Sequence, residues 1–133
     1  MKFSTRTTYG LRAMINLAEN YNKYSVSIAN IAKEENISPK YLERLFVGLK
    51  KANLVISEKG ASGGYKLAED PKDIKIYDIV KVLEGEMNPF HCLNDKGEIT
   101  CSQKCNCGAT SILIKVQNAI SSTLQSMKLS DLL

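Results

Sequence analysis

The chain has 133 residues, 44% of them hydrophobic and 24% charged, which is typical of one globular domain. No segment approaches the roughly 20 apolar residues of a bilayer-spanning helix, which argues against an integral membrane protein. The opening residues 1–8 are charged without an apolar stretch behind them, unlike a signal peptide, so we expect a cytoplasmic protein with no membrane partner. In that reducing compartment the four cysteines favour metal or redox chemistry over a disulfide framework.

The net charge of +4 is distributed unevenly along the chain. Residues 1–68 contain 11 basic and 5 acidic side chains, a balance of +6, whereas residues 69–133 contain 7 and 9, a balance of −2. A basic first half is typical of a protein that binds a polyanion such as nucleic acid. Such an excess also occurs on ordinary solvated surfaces, so it does not decide the function alone.

Two helices are predicted at the start of the chain. The first spans residues 4 or 5 to about 21, and the serine and threonine residues ahead of it are expected to supply the N-cap. The second is short, with a cap at Ser27 and an end near Glu35. Asn36 follows it, where a tight turn between helices needs a residue that tolerates the left-handed conformation.

A third helix is predicted to begin at Ser38-Pro39, where a capping residue precedes proline at the first helical position. Its buried stripe follows the i, i+3, i+4, i+7 spacing and comprises Leu42, Leu45, Phe46 and Leu49. Its opposite face is polar and mostly charged, with Lys40, Tyr41, Glu43, Arg44, Lys50 and Lys51.

A β-hairpin and two further helices complete the predicted elements. Strands at Leu54–Glu58 and Tyr65–Ala68 flank a glycine-rich tip. A helix is predicted over Ile76–Leu83, and the cysteine segment Gly85–Gly108 has no clear periodicity. A long final helix over about Ala109–Met127 has an apolar stripe at helical spacing, formed by Ile112, Leu113, Val116, Ile120, Leu124 and Met127.

The order helix, short helix, turn, helix, hairpin predicts a mainly α fold, a winged helix-turn-helix with a two-stranded wing. In that arrangement the start of the third helix enters the DNA major groove and the wing tip meets the backbone or minor groove. The DNA-contact candidates at the start of the third helix and along it are Ser38, Lys40, Tyr41, Glu43, Arg44 and Lys50. Those at the wing are Lys59, Gly60, Ser62, Gly63 and Gly64. Single lysines are often only solvated, Tyr41 is equally compatible with the core, and a winged helix can instead bind protein.

Three motifs resemble the IscR/NsrR/CymR family of bacterial winged-helix regulators: the run Ser38–Phe46, the wing Gly60–Tyr65 and the opening Thr8–Met14. The resemblance extends over essentially the whole chain. It implies a homodimeric transcription regulator, usually a repressor and not an enzyme, that binds an approximately palindromic double-stranded DNA operator. It also implies that the long C-terminal helix forms the dimer interface; the alternative is a helix that folds back on its own domain.

The four cysteines, Cys92, Cys101, Cys105 and Cys107, lie in one polar segment. Thiolates bind iron–sulfur clusters and zinc, so a soft-metal site is expected, with zinc or a thiol redox switch as the alternatives to a cluster. The resemblance implies a 2Fe–2S or 4Fe–4S cluster on three cysteines. Cys101 and Cys107 have the family's spacing, and Cys92 takes the first position across a longer loop than usual.

The fourth ligand departs from the family pattern. Where relatives use a histidine or a carboxylate, this chain has Thr110 and Thr8, and neither is a good ligand. Cys105 is the local replacement we favour, and His91 is the other.

The resulting hypothesis divides the chain into a DNA-binding domain (1–84), a cysteine-containing sensor loop (85–108) and a C-terminal dimerisation helix and tail (109–133). An iron–sulfur cluster in the loop would control operator binding. A small-molecule or protein effector is the other way to control the same regulator. A redox enzyme is disfavoured because no cofactor fingerprint or nucleophile–base set is present in the sequence.

Overall fold

A computed structural model describes residues 3–88, 90, 92–101 and 107–133. The elements are α1 (Thr5–Glu19), α2 (Ile28–Glu35), α3 (Pro39–Lys51), β1 (Val55–Glu58), β2 (Gly64–Leu67), α4 (Ile76–Glu84), α5 (Thr110–Ser126) and a 3-10 helix (Leu129–Leu132). Their order matches the predicted mainly α winged helix-turn-helix. Across these described ranges, no helix has the length and apolarity needed to cross a bilayer.

The helix-turn-helix is built from the predicted local signals. The Ser27 side chain accepts a hydrogen bond from the backbone N–H three residues on, at 3.1 Å, and so caps α2. Asn36 ends α2 in the left-handed conformation, at φ 55°. Ser38 caps α3 by accepting from the backbone N–H of Tyr41 at 3.4 Å, and Pro39 opens the helix. These signals fix the angle at which α3 leaves α2.

The start of α1 differs from the prediction. Ser4 occupies the N-cap position, but its side chain makes no capping hydrogen bond. Instead, the Glu84 carboxylate at the end of α4 accepts from the backbone N–H of Ser4 at 2.7 Å, from its hydroxyl at 2.9 Å and from the Thr7 hydroxyl. An acid at a helix N-terminus also interacts favourably with the helix dipole. The N-terminus of α1 is therefore stabilised by a tertiary contact, and not by a cap from the local serine and threonine residues as predicted.

One hydrophobic core joins α1, α2, α3, β1, β2 and α4. Phe46 lies fully buried at its centre, and the predicted stripe of α3 is buried with it. The four inward positions predicted for α4, Ile76, Ile79, Val80 and Leu83, are also buried. The outward face of α3 is consequently turned to solvent.

The wing is a tight antiparallel hairpin in which Val55 pairs with Leu67 and Glu58 with Gly64. Val26, just before α2, forms an isolated antiparallel bridge with Tyr65, through mutual backbone hydrogen bonds of 2.8 Å. This bridge holds the second wing strand against the segment that leads into α2.

The C-terminal end returns to this domain. The backbone of Ile76 donates to the carbonyl of Met127 at 2.9 Å, and Leu129 donates to the carbonyl of Ile74 at 2.9 Å. Leu129 is fully buried in the main core. The segment after α5 is thus hydrogen-bonded to the residues that precede and begin α4, and it packs into the main core.

Candidate DNA interface and cysteine loop

The outward face of α3 presents the predicted base-contact residues. Lys40, Glu43 and Arg44 are all exposed. They lie on the face of α3 opposite its buried apolar stripe. They lie in the first two turns of α3, the part of a recognition helix that meets base edges. Arginine suits guanine and glutamate suits cytosine, so this face has side chains for reading sequence.

Two of the predicted contacts also have structural roles. Ser38 is exposed and caps α3. Tyr41 is half-buried, packs against the core and meets the ring of Tyr9 edge to face, with the ring centroids 5.8 Å apart. Tyr41 therefore helps to fix α3 against α1, whatever its hydroxyl contacts.

The wing tip exposes Lys59, Gly60 and Ser62. Gly60 has φ +114°, a conformation that side chains rarely adopt, and no atom lies within 4 Å of where its Cβ would be. The tip is therefore open for close approach to a partner backbone.

Gly63 and Gly64 lie deeper in the hairpin and are only half-exposed. A Cβ on Gly63 would collide with the carbonyl oxygen of Glu58, and one on Gly64 with that of Val26. The wing's own fold thus requires both glycines, independently of any DNA contact.

A polar network lies near the tip end of the two wing strands. Glu58 pairs with Lys66 across the hairpin and accepts from the Ser25 hydroxyl. The hydrogen bond from Lys66 and then that from Ser25 lower the pKa of the Glu58 carboxyl, so it stays charged. Lys50, one of the DNA-contact candidates, donates to the Ser57 hydroxyl at 2.9 Å, which links α3 to β1.

The first part of the cysteine segment forms a small antiparallel loop. Leu93 and Ile99 are bridged, and the backbone N–H of Thr100 donates to the carbonyl of Cys92 at 2.9 Å. Cys92 and Cys101 are therefore at the two adjacent ends of this loop, and both are half-buried. We call residues 92–101 the cysteine loop.

Amide side chains hold the cysteine loop from two sides. Asn88, after α4, donates to the carbonyl of Leu93 at 2.8 Å, and Gln117 on α5 donates to that of Asn94 at 2.7 Å. Gln117 is only 2% exposed, although the rest of α5 is largely accessible. The cysteine loop thus contacts α5 through a buried polar group.

Gln117 is a residue that the sequence reasoning missed. It lies four residues after Leu113 and three before Ile120, so it interrupts the predicted apolar stripe of α5. A single amide inside such a stripe is the signal that could have identified it, since buried polar groups need a specific partner.

Cys107 lies just before α5 and is exposed. Hydrogen bonds from the backbone of Ala109 and from the Thr110 hydroxyl lower the pKa of its thiol, and slight burial opposes them. Thr110, which lacks the ligand atoms of relatives, therefore stabilises the neighbouring thiolate instead. A helix N-terminus with such donors is a typical setting for a reactive or metal-binding cysteine.

The donor chemistry of the segment fits a soft metal or iron–sulfur cluster, because thiols are its principal ligands. Within the described ranges, no three cysteine, histidine or acidic side chains are grouped to hold a metal ion. Cys105 and His91, the two candidates for a fourth ligand, lie outside the described residues.

Comparisons with known proteins agree with this architecture. The family profile described as "Rrf2: Iron-dependent Transcriptional regulator" matches residues 3–133. The regulator CymR of Bacillus subtilis is 37% identical over 132 residues, which are 99% of this chain and 89% of CymR. Its solved structure is described as that of the global cysteine regulator. It superposes with a TM-score of 0.80 over 99% of this chain and 95% of the CymR chain.

Two further solved structures are similar over nearly the whole chain. IscR of T. potens is 38% identical, with a TM-score of 0.77 and coverage of 99% of this chain and 85% of IscR. The oxidised form of Staphylococcus aureus CymR is 35% identical, with a TM-score of 0.76 and coverage of 97% and 93%. The similarity therefore extends from the DNA-binding unit through the cysteine segment to the final helix.

Proposed function

This chain belongs to the Rrf2 family of transcriptional regulators, and from that premise we propose that it is a cytoplasmic, homodimeric repressor controlled by its cysteine segment. As its relatives are, it is a regulator and not an enzyme. The observation that carries the proposal is the contact between buried Gln117 and the backbone of the cysteine loop, because it connects that loop to α5.

The proposed DNA contacts follow from the exposed surface of α3 and the wing. Lys40, Glu43 and Arg44 would meet base edges, and Lys59 at the tip would meet phosphate or the minor groove. The bridge between Val26 and Tyr65 keeps the two surfaces in register. The presence of both α3 and the wing in one domain supports binding of a double-stranded operator.

The proposed dimer interface is α5. Ile112 is 57% exposed, and Leu113, Val116 and Ile120 are only partly covered by the rest of the chain. Such an accessible apolar surface would be covered by a second copy. Two-fold symmetry through α5 would present two α3 helices to an approximately palindromic operator.

We propose that Cys92, Cys101 and Cys107 hold an iron–sulfur cluster, with Cys105 as the fourth ligand. When bound, such a group supplies a centre that is sensitive to oxidants and to iron supply. The residues of this chain would provide the response, because Gln117 of α5 holds the backbone of the cysteine loop at Asn94. A change in how the loop packs would then shift α5 and the operator-competent population.

A thiol switch without a metal is the second candidate, and Cys107 specifically favours it. Its thiol is exposed, and its lowered pKa leaves more of it as thiolate at neutral pH. A peroxide would oxidise this thiolate to a sulfenic acid and release hydroxide. The existence of an oxidised form of S. aureus CymR supports such chemistry in a relative.

Anaerobic purification followed by absorbance, iron, sulfide and zinc analysis tests the proposal. We expect a coloured protein containing iron and sulfide, and loss of both in Cys107→Ser. Cys105→Ser is the matched variant: unchanged iron content would remove Cys105 from the ligand set.

A colourless protein that holds zinc after attempted reconstitution would contradict the cluster and favour a structural zinc site. A metal-free protein whose operator affinity changes with peroxide would favour the thiol switch. Full operator binding and an unchanged response with all four cysteines replaced by serine would instead favour a small-molecule or protein effector.

A further inference from the structure

One apolar side chain lies in the middle of the charged face of α3. Val47 is 67% exposed, more than any other large hydrophobic residue in the described ranges. Its neighbours Leu45, Phe46 and Leu49 are buried, so packing within the chain does not explain the valine. A β-branched residue also has a lower helix propensity than alanine or lysine at an exposed site.

The surroundings of Val47 are polar and charged. By helical spacing, Arg44 and Glu43 lie one turn before it, Lys40 lies two turns before it, and Lys51 lies one turn after it. All four are exposed. An isolated apolar spot within such a ring suits a partner that is itself highly charged and has small apolar groups.

Double-stranded DNA is such a partner, since the major groove offers one apolar group among its polar base edges, the thymine 5-methyl. Resting on the proposed operator binding, we propose that Val47 reads a thymine by contact with this methyl. Its restricted side-chain rotation in a helix presents two methyl groups on a rigid surface. Val47 thus acts as a specificity-determining residue alongside Lys40, Glu43 and Arg44.

A protein partner docking on this face is disfavoured by the same surroundings. A hydrophobic interface needs a contiguous apolar patch, whereas Val47 has charged neighbours on the exposed side of α3. The exposed apolar residue of α5, Ile112, lies instead on the proposed dimer stripe.

The test uses the full-length dimer and an operator selected from random DNA by the wild-type protein. Each thymine of one half-site, and its symmetry mate, is replaced in turn by deoxyuridine, which lacks only the 5-methyl group. We expect one symmetric pair of positions to lower affinity about fifteenfold, the equivalent of losing two buried methyl-sized groups at about fourfold each.

Val47→Ala is expected to weaken binding to the thymine operator by at least as much, and to lose the deoxyuridine penalty at that one position. Val47→Thr keeps the shape and one methyl group, so it is expected to retain part of the penalty. Leu133→Ala, which shortens an exposed apolar side chain at the C-terminus, is the matched control and should keep the wild-type profile. Thermal unfolding of each variant checks that the fold is intact. We expect an unchanged melting temperature for Val47→Ala, because the Val47 side chain is exposed.

A deoxyuridine penalty that persists unchanged in Val47→Ala would overturn the inference while leaving operator binding intact. So would a Val47→Ala variant that dissociates to monomers without any change in its thymine profile, which would assign the residue to protein contact. If the wild-type chain selects no DNA at all, the proposed function itself fails, and the inference with it.

Discussion

The DNA-binding unit and the cysteine loop are held in place by different kinds of contact. The unit has a continuous apolar core that runs from α1 to α4 and includes Leu129 from the C-terminal end. In residues 92–101, Leu93 is the one buried apolar side chain, and hydrogen bonds from Asn88 and Gln117 fix the backbone. The difference predicts that the proposed DNA-contact surface stays folded while the proposed sensor loop opens at lower free energy.

The largest effect is expected in the core. Phe46→Ala removes a fully buried ring and should lower the free energy of unfolding by about 3–5 kcal/mol, measured by chemical denaturation. Its exposed neighbour is the matched control, and Val47→Ala should change stability by no more than about 0.5 kcal/mol. Equal losses in the two variants would show that α3 is not packed as described.

The contact between α5 and the cysteine loop is expected to matter locally. Gln117→Leu leaves the Asn94 carbonyl without its donor, which costs about 1–3 kcal/mol for a buried group. Hydrogen exchange should therefore quicken in residues 93–99 and remain unchanged in α1 and α3. Gln125→Leu, at an exposed position of the same helix, should leave both regions unaffected. Faster exchange across the whole chain in Gln117→Leu would contradict a separately held loop.

The DNA surface itself divides into specific and general contacts. Arg44→Ala should weaken operator binding by about 1–3 kcal/mol and relax its specificity, if the guanidinium meets a base. Lys59→Ala should weaken all sequences alike and lower the salt dependence by about one counterion. Titrations against the operator and a scrambled duplex at several salt concentrations distinguish the two. If Arg44→Ala weakened binding to the operator and to the scrambled duplex equally, Arg44 would be assigned to a phosphate contact instead.

A smaller effect is expected at Glu84. Burial raises the pKa of this carboxyl, but the hydrogen bonds from Thr7 and Ser4 outweigh it, so the net pKa in the folded protein is lowered. Its stabilising contribution is present above the unfolded pKa of about 4.3 and is lost as pH falls through the folded value. Glu84→Gln should cost about 0.5–2 kcal/mol at pH 7, as the loss of a helix cap does.

The pH profile distinguishes that role from simple packing. Glu84→Gln should be less sensitive to acid than the wild type below about pH 4.3, where the wild-type carboxyl takes up its proton. Parallel stability curves for the two proteins between pH 6 and pH 3 would show that the Glu84 carboxylate does not contribute as described.

The smallest effect concerns the Cys107 thiol. Thr110→Val keeps the shape of that side chain but removes the hydroxyl that stabilises the thiolate. In the metal-free protein, alkylation of Cys107 at pH 7 should therefore slow, because less of the thiol is present as thiolate. Mass spectrometry of the labelled peptide measures the rate, and Thr123→Val on the same helix serves as the control. An unchanged rate would remove the reason to single out Cys107.

The helix-turn-helix could be predicted from the sequence because its signals are local. Capping by Ser27, the left-handed Asn36 and the Ser38-Pro39 start act within a few residues, so the chain order alone identifies them. The predicted bounds of α2 and the predicted start of α3 are confirmed.

Other features depend on residues far apart in sequence. Glu84 lies 80 residues from Ser4, and the 3-10 helix at Leu129–Leu132 is fixed by backbone hydrogen bonds to Ile74 and Pro71. Neither contact leaves a periodic pattern. The amide of Gln117 stands out within the apolar stripe, but its partner could not be predicted, because a backbone carbonyl has no sequence signature.

Operator affinity with the cysteine segment loaded and unloaded tests the central claim most directly. The measurement is a fluorescence titration of the anaerobically purified protein and of the same preparation after chelation or oxidation. If the loop acts on DNA binding through α5, the two dissociation constants should differ by about fivefold or more, and Gln117→Leu should bring them together. Equal dissociation constants in the wild-type protein would contradict the account.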